Sequence, residues 1–329
     1  MTQLHVFLAI IEHGSLTNAA SELDLSQSAV SHAMAQLENN LGARLLERGR
    51  FGARTTAVGE RIARHARMMQ TLEGSIHSEV KLELGELHGH LRIASFRSVA
   101  THLLPDLVAQ FATLHPHVSF EIQSLEGLDR GVDHTLLEGR ADIGVLMLPC
   151  EAGLDAQEFA RDDWMAAFPK KLAPRGKHCT WQDLERLPFL LCNEAGANAV
   201  RTYWQAHGQT MRKVAQVEDD SVILSMVAHG FGLSVLARLA MEPVPEGVVL
   251  RHLPEALERR FAVASVPTLN DTPLVRAFAT RLKQLRAVSC DTPASSNSTV
   301  PGLTTATQRS GSPFPLPIRV SSGLAVTDF

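Results

Sequence analysis

Cysteine is scarce in this chain and poorly placed for chemistry. Cys150, Cys179, Cys192 and Cys290 are the four present in 329 residues, and none stands in a CxxC or other metal-ligand spacing. That argues against a structural zinc site and fits a reducing compartment. Long apolar runs are also missing. No stretch approaches the roughly 18 residues a membrane helix needs, the mean hydropathy is near zero, and no secretory signal precedes the first apolar helix. The expected location is the cytoplasm, with no membrane partner. Catalytic signatures are absent as well: the 15 histidines form no HExxH pair, and neither GxSxG nor a P-loop occurs. HTLLEGRAD (134–142) holds a histidine and two carboxylates but reads as a helix running into a strand. No enzyme, cofactor or resident metal is expected.

Lysine is missing before Lys81, so the early positive charge is carried by arginine. The whole chain is slightly acidic, with a net charge of −4. Locally the balance reverses. Arg44, Arg48, Arg50, Arg54, Arg61, Arg64 and Arg67 are opposed only by Glu47 and Glu60, a net of +5 within residues 44–67. A basic strip on a mildly acidic protein is what phosphate binding requires.

The strip follows a stretch that splits into two faces. In AASELDLSQSAVSHAMAQLENNLGARLLER (19–48), the spacing predicts two short helices and a tight turn. At 100° per residue Val30, Met34, Leu37 and Leu41 share one sector, with Ala33 at its edge. They face Ala19, Ala20 and Leu23 of the preceding helix. Gln27, Ser28, Ser31 and Ala35 lie opposite, with His32 beside them. Ser26 is placed as N-cap, where it also offers a phosphate contact. Small hydrogen-bonding side chains let a groove floor come close, which is the arrangement of a helix that enters the DNA major groove. RGRFGARTT (48–56) has glycines between basic residues and reads as a hairpin, or wing, along the DNA backbone. Arg48, Arg50 and Arg54 are its candidate phosphate contacts.

A long helix is expected from Ala57 to Leu84, with Gly74 its only glycine beyond the first turn. Val58, Ile62, His65, Met69, Leu72, Ile76 and Val80 recur at steps of four and three, a coiled-coil seam. Its simplest partner is the same helix of a second copy, giving a dimer that reads two half-sites.

These features together resemble the LysR-type transcriptional regulators. The matching residues are Phe7, Gly14–Ser15, Ala19–Ala20, Leu23, SQSAVS (26–31), Leu37–Glu38, Leu41–Gly42, LLER (45–48), and Thr56 followed by Gly59. Leu46 stands where the family most often has phenylalanine, and His32 where it often has arginine or lysine. The resemblance implies residues 1–58 as a winged helix-turn-helix, 59–86 as the linker and dimerisation helix, and 90–288 as an effector domain. It also implies a homotetramer in many cases, and contact with RNA polymerase.

From Leu91 onward, short apolar strands alternate with helices, which argues an α/β architecture. Strands are expected at 91–95, 118–124, 141–146, 164–168, 188–192, 232–236 and 261–266. Helices are expected at 99–115, 128–139, 197–207, 219–229 and 273–286. About 200 residues of this alternation suit two small lobes. The resemblance implies a two-lobed, periplasmic-binding-protein-like domain joined by two crossing strands, with a small effector in the cleft. Lobe one is then 90–163 plus 267–288, and lobe two 164–266.

The loop SFRSVAT (95–101) offers Ser95, Arg97, Ser98 and Thr101 near a helix N-terminus, which favours an anionic group. The alternative is that Ser98 caps the helix and Arg97 is simply exposed. Asn193 and Glu194, after a strand, and the DDS at 219–221 are further cleft candidates. Gly230 and Gly232 read as turn formers. A second functional reading is a redox sensor using Cys179 and Cys192, since some family members sense oxidants through a cysteine pair in lobe two. Residues 289–329, rich in Ser, Thr and Pro, are expected to be disordered, with FPLPIRV as the one candidate docking strand.

Overall fold

The computed structural model describes residues 2–49, 52–125, 131–192, 194–211, 213–217, 219–285 and 318–322. Three helices open the chain: α1 (Thr2–His13), α2 (Leu16–Glu22) and α3 (Gln27–Leu41). Ser15 and Ser26 cap α2 and α3 by accepting hydrogen bonds from the amides of Asn18 and Ala29, each at 3.1 Å. Gly42, at φ +66°, ends α3 in the left-handed region. The hairpin β1 (Leu46–Gly49) and β2 (Gly52–Thr55) follows, pairing Glu47 with Arg54 and Arg48 with Ala53. These elements share one core, in which Phe7, Ile10, Ala19, Val30, Met34 and Leu45 are buried. Leu41, expected on the apolar face of α3, is instead exposed, because the last turn of the helix extends past the core.

The linker helix α4 (Ala57–Glu83) begins at Thr56, whose hydroxyl caps the Gly59 amide at 2.9 Å. Its small residues Ala63, Ala66 and Ser78 are buried. The opposite seam of Val58, His65, Met69, Leu72, Ile76 and Val80 is exposed.

The effector domain is built on one eight-stranded sheet and a second, two-stranded sheet in lobe two. Lobe one carries β3 (His88–Phe96), α5 (Arg97–His102), α6 (Leu104–Leu114), β4 (His117–Leu125), α7 (Val132–Leu137) and β5 (Ile143–Met147). The expected helix 99–115 is thus broken at Leu103, just before Pro105. The chain crosses to lobe two along β6 (Asp155–Pro169), three times as long as the apolar run that signalled it. Its first half is polar on both faces and carries no strand alternation. Lobe two holds α8 (Trp181–Glu185), β7 (Phe189–Leu191), α9 (Glu194–Ala206), β8 (Lys213–Gln216), α10 (Asp220–Ala228), β9 (Ser234–Ala237) and β10 (Val248–His252). The chain returns along β11 (Glu258–Ser265) to α11 (Pro273–Gln284). Among these, β8, β10 and α8 are too short to show a period in the sequence.

The strand order is β10-β6-β11-β5-β3-β4, then a strand of Ile318–Ser322 (β12), with β9 also on β6. β3, β4 and β5 are parallel, while β6 and β11 run antiparallel to each other across both lobes. β11 pairs with β5 over Phe261–Ala264, so it belongs as much to lobe one as to lobe two. The last strand, β12 (Ile318–Ser322), lies parallel to β4 and corrects the expectation of disorder at that segment. The physical reason is the free edge of β4, whose unpaired backbone groups accept a strand of IRVSS. The rest of the 289–329 segment lies outside the described residues.

Candidate DNA-binding surface and effector cleft

On α3, Gln27, Ser28, His32 and Ala35 are exposed and Ser31 is half-buried. The Ser26 and Ser28 hydroxyls lie 2.9 Å apart. His32 Nε2 lies 2.9 Å from Gln36 Nε2. The helix is held to the wing by one carboxylate: Glu38 Oε1 accepts from the amides of Leu45 (2.7 Å) and Leu46 (3.2 Å). A second tie holds the wing to the α1–α2 turn, where the Ala53 amide donates to the Gly14 carbonyl at 3.0 Å. Arg54 is exposed on β2, which packs against α1 and α4, and Arg44 and Arg61 are exposed as well. Arg50 lies outside the described residues, as does the side chain of Arg48.

Two arginines of the basic strip leave it. Arg64 Nη2 pairs with Glu138 of lobe one at 3.0 Å, and Arg67 Nη1 donates to the Glu138 carbonyl at 3.1 Å. Burial and the neighbouring Arg140 charge push the Arg67 pKa down. These two side chains dock the linker helix rather than face a phosphate.

In the cleft, β3 runs directly into α5, so the residues expected as a loop (95–101) instead form the end of the strand and the helix, against β11. Ser95 is fully buried, and its hydroxyl has no hydrogen-bond partner among the described residues. Ser98 is buried and makes no cap; its Oγ accepts from Arg259 Nη2 at 3.0 Å. Arg259, on β11, donates through Nε to Asp162 of β6 at 2.8 Å and stacks on Phe96 and Phe261, 5.1 and 4.9 Å from the ring centres. Burial pushes the Asp162 carboxyl up despite Arg259, and pushes Arg259 down despite Asp162. Such opposed shifts mark a pair whose desolvation is not fully repaid by attraction. Asp162 also accepts from the Leu239 amide of lobe two at 3.1 Å.

Arg97 is neither bare nor simply solvated. It bridges the lobes, with Nη2 at 2.8 Å from Asp220 Oδ2 at the start of α10. Asp219 caps α10, accepting from the Ser221 and Val222 amides at 2.7 and 3.2 Å. The hydrogen bond from Ser221 holds its carboxyl below the usual range. Thr101 is exposed on α5. Asn193 and the side chain of Glu194 lie outside the described residues. A cavity of about 1010 Å³ lies away from the cleft, between α1, α4 and lobe one, lined in part by Arg67, Arg92 and Asp142.

Two family models match the chain: the bacterial regulatory helix-turn-helix of the lysR family over residues 1–60, and the LysR substrate binding domain over residues 84–287. The chain belongs to the LysR family of DNA-binding transcriptional regulators. The "Probable HTH-type transcriptional regulator LrrA" of Synechococcus elongatus is 45% identical over 285 residues, 86% of this chain and 96% of the relative. The architecture matches a full-length OxyR variant from Pseudomonas aeruginosa at a TM-score of 0.68 (20% identity, covering 87% of this chain and 94% of that one). It also matches full-length CbnR complexed with its target DNA at 0.60 (23% identity, 86% and 98%). A transcription-regulator family, not an enzyme family, therefore accounts for the chain, and no described helix is long and apolar enough to cross a membrane.

This LysR-type chain gives its two lobe-two thiols no activating surroundings. Cys179 and Cys192 are buried, and burial pushes each pKa up to about 12. A reactive sensor thiol needs the opposite, a stabilised and accessible thiolate. The sequence reading of the LysR-type cleft included Asp220, within the DDS at 219–221, but missed Asp162 and Arg259. The one available signal was spacing: Arg259 shares the period-2 face of Phe261 and Val263, both buried.

Proposed function

We propose that this LysR-type regulator binds a two-fold-related DNA site as a dimer and responds to a small anionic effector held between its lobes. Gln27, Ser28, Ser31 and His32 meet base edges in the major groove, and the Ser26 cap region meets a phosphate. Arg48, Arg50 and Arg54 neutralise phosphates along the wing. The observation that carries this reading is the exposed polar face of α3, rigidly tied through Glu38 to a wing with an exposed Arg54.

The effector reading rests on Arg97. Its present partner is a carboxylate of the opposite lobe, so an anionic effector in the cleft competes with Asp220 for the same guanidinium. Such competition alters lobe closure and is a direct route from binding to a change of subunit geometry. Ser95, with its unsatisfied buried hydroxyl, stands at the end of β3, and Ser98 and Thr101 follow in α5; Asn193 and Glu194 are further contacts proposed from the sequence alone. Family resemblance extends the reading to a cytoplasmic homodimer or homotetramer that contacts RNA polymerase.

Footprinting on the DNA beside its own gene, across a salt series, tests the first half. A partly palindromic protected site with a steep salt dependence supports the proposal; no specific protection even at low salt overturns it. Once an effector is found, unchanged affinity in Arg97→Ala would remove Arg97 as a direct contact.

A further inference from the structure

The hinge between the linker helix and the effector domain collects imidazoles. α4 ends at Glu83, Gly85 turns the chain at φ +80°, and β3 starts at His88. His88 is the register partner of His117, the first residue of β4, on the adjacent parallel strand. Their rings stack at 4.3 Å between centroids, with planes 7° apart. Glu86 reaches back to the same point, with Oε2 at 2.8 Å from His88 Nε2. One donor atom from each of the three residues lies within 4.8 Å of the others. His90, Ser119 and Glu121 continue the same face of the strand pair, with His90 Nδ1 at 2.8 Å from Ser119 Oγ.

We propose that Glu86, His88 and His117 form a binding site for a divalent transition-metal ion of the zinc, cobalt or nickel class. Two imidazoles and one carboxylate are the ligand set that such ions prefer over magnesium or calcium, which take oxygen ligands. A tetrahedral ion with bonds near 2.0–2.1 Å wants its ligand atoms about 3.4 Å apart. The step from 4.8 Å is made by side-chain rotation, since Glu86 and His117 are exposed and His88 is half-exposed. The two rings unstack so that each lone pair points at the ion, while the strand register that brings them together stays fixed. Three protein ligands leave a coordination position for water or a small anion.

The position gives the ion a mechanical consequence. Glu86 belongs to the hinge, His88 and His117 to the lobe-one sheet, and Ser78 of α4 donates its hydroxyl to the His88 carbonyl. An ion on these three residues ties the end of the linker helix to lobe one.

The test is isothermal titration of chelator-stripped full-length protein with zinc alone, then with cobalt alone. One ion per chain is expected in the parent and in His77→Ala, a control that removes an exposed histidine of α4 outside the cluster. Loss of a supporting hydrogen bond typically weakens metal sites by roughly 10- to 100-fold, and loss of a direct ligand should cost at least that. The double variant His88→Ala/His117→Ala should therefore lose the event. Glu86→Gln, at an exposed position that keeps the fold, should weaken it by at least the lower figure. No stoichiometric binding by the parent overturns the proposal, as does parent-like binding by Glu86→Gln and the double variant.

Discussion

An arginine buried in a strand has to be neutralised where it sits, and Arg259 is neutralised by Asp162 with Ser98 taking one further N–H. Their side chains are only 12% and 6% exposed. Removing one member strands the other charge in the crossing strands, so Arg259→Ala is expected to cost about 3–5 kcal/mol by denaturant unfolding. A loss below about 1 kcal/mol would mean that water solvates the remaining carboxylate. The pH dependence has a definite sign. The folded Asp162 pKa already lies above its ordinary value, and losing Arg259 raises it further. A carboxyl raised by folding stabilises most when protonated, and that contribution is lost as pH rises through its folded pKa. Arg259→Ala should thus recover stability as pH falls from neutral towards the carboxylate range. Thiol chemistry gives a second test at this scale. With Cys179 and Cys192 pushed up to about 12, iodoacetamide at about pH 8 should alkylate Cys150, which is half-buried, well before either of them. Mass spectrometry of native and unfolded samples checks this; equal native labelling would restore the redox reading.

Among elements, the legible ones were those with a period. The α3 faces and the linker helix follow from spacing over 10 or more residues, and the wing from glycines set between basic residues. The first half of β6 was hidden because DAQEFARDD lies across a lobe boundary, where both faces meet partial solvent. Glycines were legible as residues but not as reasons. Gly230 is a turn former, at φ +82°. Gly232 is not: a Cβ there would stand 2.2 Å from the Pro188 carbonyl oxygen, so its role is close approach of two strands. Gly59 is the same case in the DNA-binding unit. Its Cβ would meet the Leu45 carbonyl oxygen at 2.1 Å, where the first turn of α4 lies against the wing. Backbone cannot yield as a side chain does. Gly59→Ala should therefore cost at least the 1–3 kcal/mol typical of overpacking and lower the melting temperature of the N-terminal unit. An unchanged melting temperature would show that the helix simply shifts. The tail strand yields a different expectation. Deleting residues 286–329 bares the β4 edge that β12 covers. Folding should survive, but concentration-dependent association by light scattering should rise; identical scattering would mean that the edge is protected otherwise.

At the scale of the molecule, the linker helix has two faces with two loyalties. One face binds its own lobe one: Thr71 donates to Asp142 at 3.1 Å, Arg92 clasps the same carboxylate, and Arg64 and Arg67 reach Glu138. Partners some 70 residues apart in sequence leave no periodic trace, so this face was not readable beforehand. The other face was readable, and it remains uncovered, with Ile76 64% and Val80 62% exposed. Large apolar side chains at coiled-coil spacing stay in water only at a cost that a second copy of the helix removes. Because the first face grips lobe one, pairing through the second would couple two effector domains to two recognition helices by rigid connections. The double variant Ile76→Glu/Val80→Glu puts like charges across that seam. It should convert the dimer to monomer in sedimentation while leaving the far-ultraviolet circular dichroism unchanged, because neither residue is buried in its own chain. DNA binding should then show its origin in two half-sites. Each subunit brings its own phosphate contacts, and the salt slope scales with about 0.9 per contact, so the slope for the monomer should fall by roughly half along with a loss of affinity. A variant that stays dimeric would place the principal contact between subunits on the effector domains. A monomer with the parental salt slope would mean that one subunit alone occupies the site.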